Sequence, residues 1–149
     1  MRPAFTRRAV QPRSRRPLAL AFAAMVAVAA GCASVDTAIV AEPGTQFALP
    51  VGKTAALNGS GTRITFRQVT TDSRCPVDVQ CVWAGEAKIQ LIISRSGSPD
   101  DVRILSLNPP DNETTSGDLR IRFVGLAPVP RSTEDQAKRE YVAQLVVNR

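Results

Sequence analysis

Histidine is absent from this 149-residue chain. Neither a Ser-His-Asp nor a Cys-His arrangement can therefore be assembled from its residues. A zinc site would have to combine the thiolates of Cys75 and Cys81 with carboxylates such as Asp72, Asp78 or Glu86, an unusual ligand set. No glycine-rich phosphate cradle is present. Adjacent acids at Asp100 and Asp101 follow Pro99 in a turn, where they read as solubilising rather than as a glycosidase pair. Aromatic residues make up only 5%, with a single tryptophan and a single tyrosine. The longest apolar run, Leu18 to Ala30, is about 13 residues, short of the roughly 20 a membrane-spanning helix needs. These absences lead us to expect no catalytic residues, no metal and no cofactor.

That run is informative in another way. It follows MRPAFTRRAVQPRSRRP, which carries six arginines and no acid, and the two together read as a secretory signal. Ala29-Ala30-Gly31-Cys32 then resembles the lipobox of bacterial lipoproteins, in which the chain is cut before the cysteine and lipid is attached to it. Ala29 stands where leucine is usual. The alternative is an ordinary small-residue cleavage site that happens to contain a cysteine. The pairs Arg7-Arg8 and Arg15-Arg16 also leave open the twin-arginine route for folded proteins. Ala33 and Ser34, with no aspartate after Cys32, resemble outer-membrane-directed lipoproteins of Gram-negative cells. The expected organisation is a signal at 1–31, a lipidated N-terminus and tether at 32–44, and one domain at 45–149.

Charge changes once the signal is set aside. The whole chain has 19 basic and 13 acidic residues, and removing the six arginines of the signal leaves 13 of each. The excess of positive charge belongs to export, so no nucleic-acid partner is expected.

Lipidation of Cys32 leaves Cys75 and Cys81, separated by five residues in a chain bound for an oxidising compartment. A disulfide is the default. Closing so short a loop contributes about 2.4 kcal/mol in the chain-entropy account. A metal clip or a redox pair remains an alternative, although the C-x5-C spacing departs from the C-x-x-C of thiol oxidoreductases.

Around these cysteines, Asp72-Ser73-Arg74-Cys75-Pro76 and Val79-Gln80-Cys81-Val82-Trp83-Ala84-Gly85-Glu86-Ala87 resemble a DSRCP...CVWAG signature of small, uncharacterised bacterial secreted proteins and lipoproteins. A looser similarity runs from Val51 to Val147 and takes in Leu126-Ala127-Pro128 and Tyr141. The resemblance implies an extracytoplasmic β domain and transfers no catalytic residue.

The rest of the chain alternates in the manner of strands. Phe47, Leu49 and Val51 share one parity, and Lys53 to Leu57 runs into Asn58-Gly59-Ser60-Gly61, a hairpin signal. Arg63 to Val69 places Ile64 and Phe66 inward. Cys81, Trp83, Ala87, Ile89, Leu91 and Ile93 fall on one side, allowing for a bulge at Gly85, so Trp83 is expected in the core, with an exposed platform as the alternative. Val102 to Leu107, the alternation of Leu119, Ile121 and Phe123, and the series Tyr141, Ala143, Leu145 and Val147 complete the set. NPPDNETTSGD at 108–118 reads as a loop, and 132–140 as a marginal capped turn. The expected fold is all-β: a single antiparallel β-sandwich or partly closed barrel of about seven strands with one disulfide.

Arg67, Lys88, Arg103, Arg120 and Arg122 fall at outward parity. If their strands are neighbours, they form a basic face for anionic envelope polymers or lipid headgroups; otherwise they are ordinary solvated charges. The functional expectation is a lipid-anchored, non-catalytic binding module of the bacterial cell envelope. Its partners would be the membrane through the Cys32 lipid and an envelope protein or anionic polymer. The alternatives are a structural subunit of an envelope assembly and, third, a thiol-redox or carboxylate enzyme.

Overall fold

In a computed structural model, which describes residues 38–149, the described residues form nine strands and one short 3-10 turn. The segment read as a signal at 1–31 and the expected lipidation site Cys32 lie outside the described residues. Alternation of side chains along each strand separates a buried apolar face from a polar one. The strands are β1 (Ile39–Ala41), β2 (Gln46–Pro50), β3 (Thr54–Leu57), β4 (Thr62–Asp72), β5 (Ala87–Arg95), β6 (Asp101–Ser106), β7 (Glu113–Ser116), β8 (Leu119–Ala127) and β9 (Val142–Asn148). They build two sheets, one ordered β1-β3-β4-β5-β6 and the other β2-β9-β8-β7, and neither closes into a barrel.

Every pairing is antiparallel except β1 with β3. The buried faces of both sheets contribute to one hydrophobic cluster, with Ile64, Phe66, Ile89 and Leu91 from the first and Leu49, Ile121, Phe123 and Leu145 from the second. All of these were legible from parity. Val51, expected beside Leu49, instead lies beyond β2 in a turn and is exposed.

Two strands exceed the expected seven. β1 lies within the segment read as tether, where Ile39 to Ala41 pairs with Ala55 to Leu57 and buries Ala41. Three residues are too few to show a period, so the pairing is a tertiary effect. β7 lies within the segment read as loop, because Glu113 to Ser116 folds back on β8 with alternation among polar side chains. The 3-10 turn, Gln136–Lys138, lies within the segment 132–140 read as a capped turn and is capped by Asp135.

Register shifts at Arg67 and Thr70 on β4 mark bulges, which increase the local twist where the strand runs out to Asp72. Beyond that point the chain leaves the sheet and forms the cysteine loop.

Candidate functional site

β4 ends at Asp72 and β5 begins at Ala87, so residues 73–86 form the loop that joins two central strands. Its two legs stay paired. Ser73 N–H donates to Glu86 O at 2.7 Å, and Cys75 N–H to Ala84 O at 2.9 Å. The disulfide Cys75–Cys81 closes the tip, with the Cα atoms 6.0 Å apart. Gly85 is what allows the legs to approach. Its φ is +73°, and a Cβ there would lie 1.8 Å from Ser73 O, so only glycine fits.

The base of the loop is fixed by a buried polar cluster. Asp72 has no exposed side-chain surface. Its Oδ1 accepts from Arg74 Nε at 2.7 Å, while Oδ2 accepts from Arg74 Nη2 at 2.9 Å, Tyr141 Oη at 2.9 Å and Arg139 Nη1 at 3.3 Å. Burial alone would raise the Asp72 pKa, but the hydrogen bonds from Arg74 and Tyr141 outweigh it and hold the carboxyl below its ordinary value. Burial, together with the Asp72 charge, pushes the Tyr141 hydroxyl up, which keeps it a neutral donor.

Arg74 does more than pair. Nη1 donates to Leu126 O at 2.5 Å and Nη2 to Pro128 O at 2.9 Å, so one guanidinium links the end of β4 to the end of β8. A planar fork with five donors suits this task in a way that lysine does not. Further out, Val77 N–H donates to Pro130 O at 3.0 Å, and Asp78 accepts from the Ser132 hydroxyl at 2.7 Å and from its N–H at 2.9 Å. The hydroxyl and backbone bonds from Ser132 hold the Asp78 carboxyl below its usual value. The loop is thus braced along its length against residues 126–132.

This frame presents apolar groups to solvent. Val82 is 100% exposed and Trp83 is 83% exposed, with Val77 and Val79 also exposed on the same loop. The expectation that Trp83 caps the core is corrected. The β5 ladder starts only at Ala87, and the turn at Gly85 breaks the parity that would have carried residue 83 inward. Beside the indole lies an open groove of about 580 Å³, lined by Ser73, Trp83, Ala84, Gly85, Glu86 and Asn108. Glu86 accepts from Ser106 Oγ at 2.9 Å and pairs with Lys88 at 3.2 Å, and these two contacts lower its pKa.

The five basic residues proposed as one outward face are not brought together. Arg67 and Lys88 lie on β4 and β5, whereas Arg120 and Arg122 lie on β8 of the other sheet. Arg103 is in register with Leu91 and so points toward the inner side, where β6, as an edge strand, leaves it exposed. Four of the five have carboxylate partners: Lys88 pairs with Glu86, Arg103 with Asp101 at 2.9 Å, and Arg120 and Arg122 both with Glu113 at 3.4 Å. Among the described residues, no cluster of three or more Cys, Asp or Glu side chains is arranged to hold a metal ion.

Sequence reasoning missed Arg139 and Tyr141 as partners of Asp72, since 67 and 69 residues separate them. It also assigned no role to Arg74. The one available signal was spacing, because Asp72 and Arg74 at i and i+2 share a side of an extended chain. No protein-family model matches the chain, and no curated protein or solved structure matches it either.

Proposed function

We propose that this chain is a lipid-anchored extracytoplasmic domain of the bacterial cell envelope, a β-sandwich acting as a non-catalytic binding module, with the cysteine loop as its presented surface. The observation that carries the reading is the exposure of Val82 and Trp83 on a loop braced by the Asp72–Arg74 clasp and a disulfide. Apolar side chains that a domain needs for its own stability are buried. Here they are held outside by a built frame, which is what preorganised recognition requires. Cysteine arithmetic, the signal-like N-terminus and the lipobox resemblance support the anchor and the compartment.

The test is native mass spectrometry of the full-length protein extracted from its own membrane in detergent, with an alkylated, denatured sample alongside. The reading expects a chain beginning at acylated Cys32, no alkylation at Cys75 or Cys81, and retained mass that is lost in Trp83→Ala. A soluble chain with reactive thiols would contradict it.

A second reading, an assembly subunit, draws on β6. Ser106 N–H donates away from the sheet to Asp111 O, and Leu107 N–H donates to Ala87 O. By strand alternation, Val102 and Ile104 turn their backbone groups to the open edge, and their side chains are exposed as well. Stoichiometric co-purification of another envelope protein after in-cell crosslinking at residue 102 would favour this reading.

A further inference from the structure

We infer that the cysteine loop docks on the lipid bilayer, with Val82 and Trp83 entering the interfacial layer of the membrane that holds the Cys32 lipid. The inference rests on the lipoprotein reading above and names the partner of the same site.

Apolar exposure is concentrated at this end. Ten large apolar side chains are exposed among the described residues, and five of them, Val77, Val79, Val82, Trp83 and Val129, belong to the cysteine loop and the segment bonded to it. An indole suits the headgroup boundary because it pairs an apolar ring with one N–H donor, and valines carry no polar group that must stay wet. The loop is also prepared electrostatically. Arg74 is turned into its buried pair with Asp72, and Asp78 is occupied by Ser132. Part of the loop's backbone is bonded within the fold, with Cys75 N–H donating to Ala84 O, Val77 N–H to Pro130 O and Val79 N–H to Pro76 O. Those donors keep their partners as the loop enters a less polar layer.

Chain direction points the same way. β1 runs parallel to β3, which runs antiparallel to β4, with Ile39 level with Ala55 and Ala55 level with Ile64. The chain therefore enters β1 from the side toward which β4 travels, the side of the cysteine loop. Ile64 pairs with Ile93 and Asp72 with Ala87, six residues apart on β5, which is about 20 Å of strand. Cys32 precedes Ile39 by seven residues, a reach of about 25 Å at full extension. That span is long enough for a surface holding the Cys32 lipid to be met by the loop end of the domain. A glycan stacked on Trp83 would use the groove toward Asn108 and leave Val77 and Val82 without a role, which favours the bilayer.

Trp83 is the chain's only tryptophan, so it reports directly. The full-length, lipidated protein is reconstituted into phosphatidylethanolamine–phosphatidylglycerol vesicles that carry bromine at shallow or deep acyl positions. We expect a blue-shifted Trp83 emission, loss of most of that emission to shallow bromines, and protection from aqueous iodide. Val82→Asp should still float with the vesicles while regaining iodide access. Protein that floats with Trp83 open to iodide and unaffected by bromines overturns the bilayer contact alone. Protein that lacks acyl mass at Cys32 and fails to float overturns the anchor reading, and this inference with it. Protection by isolated cell-wall glycan without quenching by brominated lipid would also overturn it, in favour of a sugar ligand.

Discussion

Asp72 and Arg74 form a two-pronged ion pair across a single intervening residue, with Nε to Oδ1 at 2.7 Å and Nη2 to Oδ2 at 2.9 Å. The pair is local, yet its effects are long-range. The same guanidinium holds Leu126 and Pro128 carbonyls, and the same carboxylate holds Tyr141 and Arg139. One ion pair thereby ties three separated stretches of chain together at the base of the exposed loop.

Removing one partner should be costly. Asp72→Asn leaves Arg74 buried without its counter-charge and Arg139 with only Glu134 at 3.9 Å, and breaking such a buried pair costs about 3–5 kcal/mol. Urea unfolding followed by far-UV circular dichroism should show a correspondingly lower midpoint. A midpoint within error of the parent would show that the clasp is not structural.

Glycine positions separate strain from space. Gly59 has φ +68° with nothing within 4 Å of a built Cβ, whereas Gly85 has φ +73° and would drive a Cβ into the Ser73 carbonyl. Gly59→Ala should cost about 1 kcal/mol for the left-handed backbone. Gly85→Ala should lower the melting temperature several-fold further, because the paired legs must separate. Equal losses for the two would contradict the close-approach account.

Acid should weaken the fold. The carboxyls of Asp72, Asp78, Glu86 and Asp101 are all lowered in the folded protein. The unfolded chain therefore binds more protons than the folded one just below the ordinary aspartate value of 3.8. Stability from these groups is present in full above their ordinary values, 3.8 for the aspartates and 4.5 for Glu86, and is lost as pH falls through the folded pKa values. Urea midpoints at about pH 7 and about pH 3 should differ in that direction, and Asp72→Asn should shrink the difference. An unchanged midpoint at low pH would refute the assignment.

The disulfide and the indole should behave in opposite ways. Replacing both cysteines with serine should cost about 2.4 kcal/mol by loop entropy. Trp83→Ala should stay within about 0.5 kcal/mol of the parent, as expected for an exposed side chain, whereas Phe123→Ala should cost about 3–5 kcal/mol. A large loss from Trp83→Ala, measured by thermal melting, would put the indole back in the core.

Much of the core was legible in the sequence. The alternation of Leu119, Ile121 and Phe123 against Arg120 and Arg122 could be satisfied by only one face, and the series from Tyr141 to Val147 likewise. Parity failed where the ladder stopped. Trp83 shares the parity of Ile89 but lies across the Gly85 turn, so the period no longer had a sheet to refer to. β1 and β7 were hidden for a different reason, because a three-residue strand has no period and a polar strand has no apolar face. At the site, the cysteines announced themselves, but the Asp72 cluster did not. Its members come from distant parts of the chain, and charge pairing at such separation leaves no local pattern.

The central claim is that the cysteine loop holds Trp83 outside the fold for contact with the envelope. Iodide quenching of Trp83 tests it most directly, comparing full-length protein in native membrane vesicles with the same domain released by proteolysis. Free access to iodide after release and strong protection in the vesicles is the predicted result. Equal access in both states, or protection that persists after release, would contradict the account.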